Sequence, residues 1–135
     1  MMLGHPRVRE FDYSSLTHFV YAAAPMSAEK LKEAMEIFGP VMAQTFGQAE
    51  APMLCTFLSP EEHDVVGDPK LEKRLMSCGR STIFAQVEVM DDDGNILPSN
   101  EKGEIVVRGN LVMKGYYKNP KATEEASRFG WHHTG

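Results

Sequence analysis

The chain has 135 residues, of which 42% are hydrophobic and 24% charged. That is enough apolar matter for a packed core and too little charge for wholesale disorder, and the length suits one domain of ordinary size. Lys plus Arg number 14 against 19 Asp plus Glu, a net charge of −5. This balance argues against nonspecific binding to nucleic acid or anionic lipid, which needs clustered cations. It leaves room for a nucleotide, whose phosphates backbone N–H groups and a metal ion can hold.

Residues 1–17 are mixed, contain His5-Pro6, and read as an irregular lead-in with one short helical turn. His18 to Ala22 is short and, after its first residue, continuously apolar, so it predicts a strand buried on both faces. Ala23-Ala24-Pro25 ends it. Ser27 is an N-cap candidate, and Glu29 puts negative charge in the first turn of a helix. Ala28, Leu31, Ala34, Met35 and Phe38 form its apolar stripe, and Gly39-Pro40 stops it. Val41 to Thr45 is a second apolar run, hence a second strand. Strand, helix and strand in this order, over about thirty residues, make a right-handed crossover with parallel strands.

Residues 60–74 are charge-rich, carry Pro60, Gly67 and Pro69, and read as a surface connection. From Ser81 the period drops to two: Ile83, Ala85, Val87 and Val89 alternate with Phe84, Gln86 and Glu88, as in a half-exposed strand. Asp91 to Asn95 signals a hairpin turn, and Pro98-Ser99-Asn100 a second one. Glu104 to Arg108 is the next strand, and Met113 to Tyr117 is a candidate extension of that sheet. Pro120 opens a short helix through Ser127, and Trp131 to His133 is a last strand. The fold class is therefore α/β plus β. A parallel strand-helix-strand part (1–60) leads through a connection (61–80) to an antiparallel β part (81–135).

Several chemistries are weakly supported. Asp91-Asp92-Asp93-Gly94-Asn95 resembles a calcium loop, but taking Asp91 as the first position puts the glycine one place early and Lys102 where glutamate is needed. Neighbouring His132 and His133 point to opposite faces of a strand and chelate one ion poorly. Cys55 and Cys78 form no C-x-x-C pair and read as thiols of a reducing cytosol. The apolar stretch Phe19 to Met26 is too short to cross a bilayer, and Met1 to Pro6 does not read as a signal peptide, so the expected location is cytoplasmic.

The more suggestive place is Thr45-Phe46-Gly47-Gln48-Ala49-Glu50, after the second parallel strand. Ligands of open α/β sheets bind at the carboxyl ends of strands, and Ala23-Ala24-Pro25 follows the neighbouring strand. That first stretch is small enough for close approach by a flat ring. The second offers an aromatic face, a flexible glycine, polar side chains and a carboxylate suited to Mg²⁺. On pattern alone the ordinary alternative is somewhat better: a strand-to-loop turn with Phe46 in the core and Glu50 solvated.

Five ordered stretches change that balance. Tyr21–Ser27 (YAAAPMS), Gln44–Glu50 (QTFGQAE), Gly103–Gly109 (GEIVVRG), Met113–Pro120 (MKGYYKNP) and Gly130–Gly135 (GWHHTG) together resemble the adenylate-forming enzymes, and most of all their fatty-acid–CoA ligase branch. The resemblance covers almost the whole chain. It implies that a carboxylic acid, here a fatty acid, is activated with ATP and Mg²⁺ and passed to coenzyme A. Ala23, Ala24 and Pro25 match the segment lying against the adenine. Phe46 matches an aromatic that stacks on the base, and Thr45, Gly47, Gln48 and Ala49 belong to the same nucleotide-contacting stretch. Glu50 matches the magnesium-binding glutamate and is the catalytic candidate. Gly103-Glu104 is given a folding role.

The chain also departs from the pattern. Ala49 stands where the family usually has threonine, which removes a hydroxyl expected near the phosphate or acyl carboxylate. Ala22 stands where glycine is usual. The family's phosphate loop, its ribose-gripping aspartate, its hinge and the lysine of its C-terminal domain are not in these 135 residues. The resemblance therefore implies an internal piece of the large N-terminal domain of a ligase, inactive alone. The exposed edges of its incomplete sheet are expected to pair with a second copy.

Overall fold

A computed structural model describes residues 2–65 and 72–135. The middle of the expected connection, with Gly67 and Pro69, lies outside the described residues. The chain packs as two units. One is Met1–Thr45 with Phe57–Gly79, and the other is Phe46–Thr56 with Arg80–Gly135.

The first unit begins with two 3₁₀ turns, Met2–Gly4 and Val8–Glu10. Strand β1 (Phe19–Tyr21) pairs in parallel with β2 (Met42–Phe46), Phe19 opposite Met42 and Tyr21 opposite Gln44. Helix α1 (Ala28–Phe38) joins them, as the apolar stripe requires. The Ser27 hydroxyl accepts the Lys30 N–H, and Gly39, at φ +88°, donates its N–H to the Met35 carbonyl. Only the glycine tolerates that left-handed cap cheaply. Leu31, Ala34 and Phe38 meet Val8, Met42, Val65 and Leu75 in one core. The Phe38 ring stacks on Phe19 and takes Tyr13 edge-on, with centroids 4.9 and 4.8 Å away.

Two expectations are corrected here. β1 is not buried on both faces, since Val20 is 52% exposed. The second strand runs Met42–Phe46, one residue later than expected, although the Val41 carbonyl still accepts the Phe19 N–H. A third strand, β3 (Thr56–Leu58), lies beside β2 and was not anticipated. Nor was helix α2 (Pro60–His63), although Ser59 and Glu62 form a reciprocal capping box with proline at the first helical position.

α2 delivers His63, which is fully buried, to the strands. His63 Nδ1 lies 2.7 Å from the Ser59 carbonyl, which can only accept, so Nδ1 carries the proton. Nε2 is then an acceptor, and the Tyr21 hydroxyl donates to it at 2.9 Å, with Gln44 Oε1 at 3.3 Å as a second acceptor. Burial pushes the Tyr21 phenol up to about 12. Burial also holds the His63 imidazole below its ordinary value, against the opposing pull of Ser59 and Glu62. The unfolded chain therefore binds the proton first, so folding stability is full above the ordinary imidazole range and falls as pH drops through the buried value. The slope is bounded by about 1.4 kcal/mol per pH unit, the limit for one whole proton. Urea midpoints between pH 7.5 and 5 should show it, and His63→Gln should flatten the curve. Equal slopes in the two proteins would contradict it.

The second unit holds β4 (Arg80–Ser81), β5 (Gln86–Met90), β6 (Glu104–Arg108) and β7 (His132–His133), with helix α3 (Pro120–Ala126). β5, β6 and β7 form an antiparallel sheet in that order, with Val87 opposite Val107 and Val107 opposite His132. Val106 and Val107 are fully buried. The 91–95 turn is closed by Asp91 Oδ1, which accepts the N–H groups of Asp93 and Asn95. Asn119 caps α3 by accepting the Ala122 N–H.

Two more expectations give way. The strand does not start near Ser81: the Thr82 hydroxyl accepts the Phe84 N–H, which makes a local turn, and Ile83 is 94% exposed. The alternation is real only from Gln86. Met113 to Tyr117 does not extend the sheet, because the Tyr116 N–H is taken by the Thr123 hydroxyl on α3. Among the described residues, no helix is long and apolar enough to cross a membrane.

Candidate functional site

The parallel register sets β1 and β2 side by side with Tyr21 opposite Gln44, so Ala22 follows beside Thr45. Ala22 to Pro25 are all exposed at the tip of β1. Ala23 adopts φ +71°, a left-handed conformation that costs a non-glycine residue about 1 kcal/mol and flags a specified site. Thr45 is buried on the neighbouring strand, and its hydroxyl has no hydrogen-bond partner among the described residues. An unpaired buried hydroxyl is uncommon in a native interior. Ala23, Ala24, Pro25 and Thr45 thus share one pair of strand tips in the first unit.

Phe46 to Glu50 belong to the second unit. The Phe46 carbonyl accepts the Cys55 N–H, and its partly buried ring packs on the cluster of Ala51, Cys55, Ala85 and Val107. Phe46 therefore has a core contact, as the ordinary reading of the turn expected. Gln48 and Ala51 exchange backbone hydrogen bonds at 2.9 and 3.3 Å, which folds the chain tightly back. Gly47 is required there: a Cβ would press on the Met53 backbone nitrogen and lie 2.7 Å from the Ala51 carbonyl oxygen.

Side chains lock this turn. Gln48 Nε2 donates to the Thr134 carbonyl at 2.6 Å, which orients the amide. Gln48 Oε1 then accepts from His132 Nε2 at 3.0 Å. His132 is buried, and its Nδ1 has no partner among the described residues. Ala49 is exposed. The Met113 N–H donates to the Glu50 carbonyl at 2.6 Å, and the Tyr116 hydroxyl donates to Glu50 Oε1 at 2.7 Å. That phenol holds the Glu50 carboxyl below the ordinary carboxylate range, helped by Glu50's own backbone N–H and by nearby His132. The same bond pushes the Tyr116 phenol up. Neither Tyr116 nor His132 was expected from the sequence to be a partner of this turn. Nothing in local spacing links positions 50 and 116, or 48 and 132.

Glu50 thus presents an ionised, partly exposed carboxylate. Among the described residues, no group of three or more His, Cys, Asp or Glu is placed to hold a metal. A lone carboxylate fits magnesium in one way, as a protein ligand to an ion already carried on phosphate oxygens.

Residues 1–117 match the model of the AMP-binding enzyme family, so the chain belongs to that family. It is 42% identical over 134 residues to the medium/long-chain-fatty-acid–CoA ligase FadD8 of Mycobacterium tuberculosis, a match that covers 99% of this chain and 22% of that protein. It is 34% identical over 132 residues to a feruloyl-CoA synthase of Amycolatopsis sp, covering 98% of this chain and 25% of that protein. The amide bond synthetase McbA from Marinactinospora thermotolerans superposes with a TM-score of 0.86 at 33% identity, over 98% of this chain and 26% of McbA. The chain spans about a quarter of the length of the relatives it matches.

Proposed function

We propose that the whole protein is an ATP-dependent acid–thiol ligase that acts on a fatty acid, with this chain carrying half of its nucleotide pocket. The carboxylate oxygen attacks the α-phosphorus of ATP, pyrophosphate leaves, and an acyl-adenylate forms. The thiol of coenzyme A then attacks the acyl carbonyl carbon, the thiol proton is lost, and AMP leaves. Magnesium, when bound, draws off the charge that builds on the phosphate oxygens. Glu50 would hold it. Ala23, Ala24 and Pro25 would form the wall against the adenine, with Phe46 on the base and Thr45, Gly47, Gln48 and Ala49 along the nucleotide. These residues position and neutralise; none takes a proton from the substrate.

The observation that carries this reading is Glu50: a carboxylate kept ionised and aimed by Tyr116, at the end of the turn after a parallel strand. The likeness to FadD8 supports the fatty acid. A cytoplasmic location goes with the reading. The test is pyrophosphate release from ATP by the whole protein, with medium- and long-chain fatty acids set against aryl acids. Release with the fatty acids is expected, and Glu50→Gln should cut it about 100-fold or more. No release with any acid would end the proposal.

The 135-residue chain by itself is read as inactive, since it spans so little of its relatives. Among the described strands, β1 ends the order of its sheet, which gives a second copy an edge to pair with. A strict monomer in sizing experiments at high concentration would count against pairing, and adenylate formation by the chain against inactivity.

A further inference from the structure

We propose that Tyr116 is the positioning residue for Glu50, holding its carboxylate where a cation on the nucleotide's phosphates would meet it. The inference rests on the reading of Glu50 above. A glutamate side chain at the end of a surface turn samples many rotamers, and one oxygen must be pinned before the group can be a reliable ligand. The tyrosine has only two side-chain torsions, and its hydroxyl sits 2.7 Å from Glu50 Oε1. Donation from the phenol does not use up the carboxylate, which has lone pairs enough for a hydrogen bond and a cation together.

Tyr116 is itself held from α3. Its N–H donates to the Thr123 hydroxyl at 2.9 Å, and that hydroxyl donates to the Asn119 carbonyl at 2.9 Å. The Asn119 N–H returns to the Tyr116 carbonyl at 3.2 Å. Gly115 lets the backbone pass so close to Thr123 that a Cβ would lie 2.7 Å from its methyl group. At the other end of this segment, the Met113 N–H holds the Glu50 carbonyl at 2.6 Å. One stretch, Met113 to Thr123, thus grips both the backbone and the side chain of Glu50. No other carboxylate of the second unit receives a phenol hydroxyl among the described residues.

The experiment compares wild type, Tyr116→Phe, Tyr116→Gln and Glu50→Gln in the whole protein. Mn²⁺ binding in the presence of ATP is measured by electron paramagnetic resonance. The two half-reactions are then measured apart, adenylation from ATP and thioester formation from supplied acyl-adenylate. For Tyr116→Phe, Mn²⁺ affinity and the adenylation rate are each expected to fall about tenfold or more, as for a lost hydrogen bond to a charged group. Thioester formation should stay within twofold, because it needs no metal-bound triphosphate. Tyr116→Gln keeps a donor and should recover part of the Mn²⁺ affinity. Wild-type Mn²⁺ affinity in Tyr116→Phe, or an equal fall in both half-reactions, would overturn the positioning role while leaving Glu50 in place. If Glu50→Gln itself bound Mn²⁺ as wild type does, the reading of Glu50 would fail, and this inference with it.

Discussion

Replacing Gly47 with alanine is expected to destabilise the second unit by about 3 kcal/mol or more, and to displace the turn that carries Gln48 and Glu50. The cause is space. An added Cβ would press on the Met53 nitrogen and lie 2.7 Å from the Ala51 oxygen and 2.8 Å from the Met53 Cα, all backbone atoms. A flexible side chain could swing away, but these atoms are tied by the Gln48–Ala51 hydrogen bonds and by Cys55 N–H to Phe46 O. Relief would cost at least one of those bonds or open the turn. Gly4→Ala is the control, since nothing lies within 4 Å of its added methyl. Urea unfolding followed by amide signals of β5 to β7 is the measurement. Loss of less than about 0.5 kcal/mol in Gly47→Ala would contradict the argument. Under the proposed function, the same variant of the whole protein should lose adenylation, because Glu50 moves with the turn.

Leu31→Ala is expected to cost the first unit about 2–5 kcal/mol. Leu31 is 0% exposed on the inner face of α1, with Ala34, Phe38, Met42, Val8, Val65 and Leu75 in the same cluster. The loss combines the transfer of the side chain from water with the cavity that remains, because neighbours at crystal-like density relax only partly. Against a typical total of about 5–15 kcal/mol, that is a large share. Leu31→Met, near in volume, should cost under about 1.5 kcal/mol. Ile83→Ala removes a comparable apolar side chain that is 94% exposed, and should stay within about 0.5 kcal/mol. Urea midpoints for the three variants decide it. A Leu31→Ala value no larger than that of Ile83→Ala would refute the packing account.

Legibility followed the range of the interaction. α1 was readable because its cap, stripe and stop all lie within thirteen residues, Ser27 to Gly39, and each is a local effect. β6 was readable for the same reason, a run of β-branched residues between glycines. The Ser81–Phe84 stretch misled because its alternation matched a strand, while the Thr82 hydroxyl closed a turn that a count of apolar positions cannot register. α2 had a legible capping box, Ser59 with Glu62, but four residues gave no periodicity to find. The strand burial expected for Val20 failed because burial depends on what packs against a face, and a strand's own residues do not encode that.

For the site, residue types and their order were enough to nominate Ala23 to Pro25, Thr45 to Glu50 and the family to which the chain belongs. Helix start and stop, turn chemistry and the parallel crossover came from interactions between near neighbours, which the order of residues states directly. The proton on His63 Nδ1, the clasp of Gln48 by His132 and Thr134, and the hold of Tyr116 on Glu50 came from the folded chain alone. The partners in these contacts stand as far as 86 positions apart along the chain, as Gln48 and Thr134 do. Only the closing of the chain brings such groups within about 3 Å, and a hydrogen bond exists at that distance or not at all.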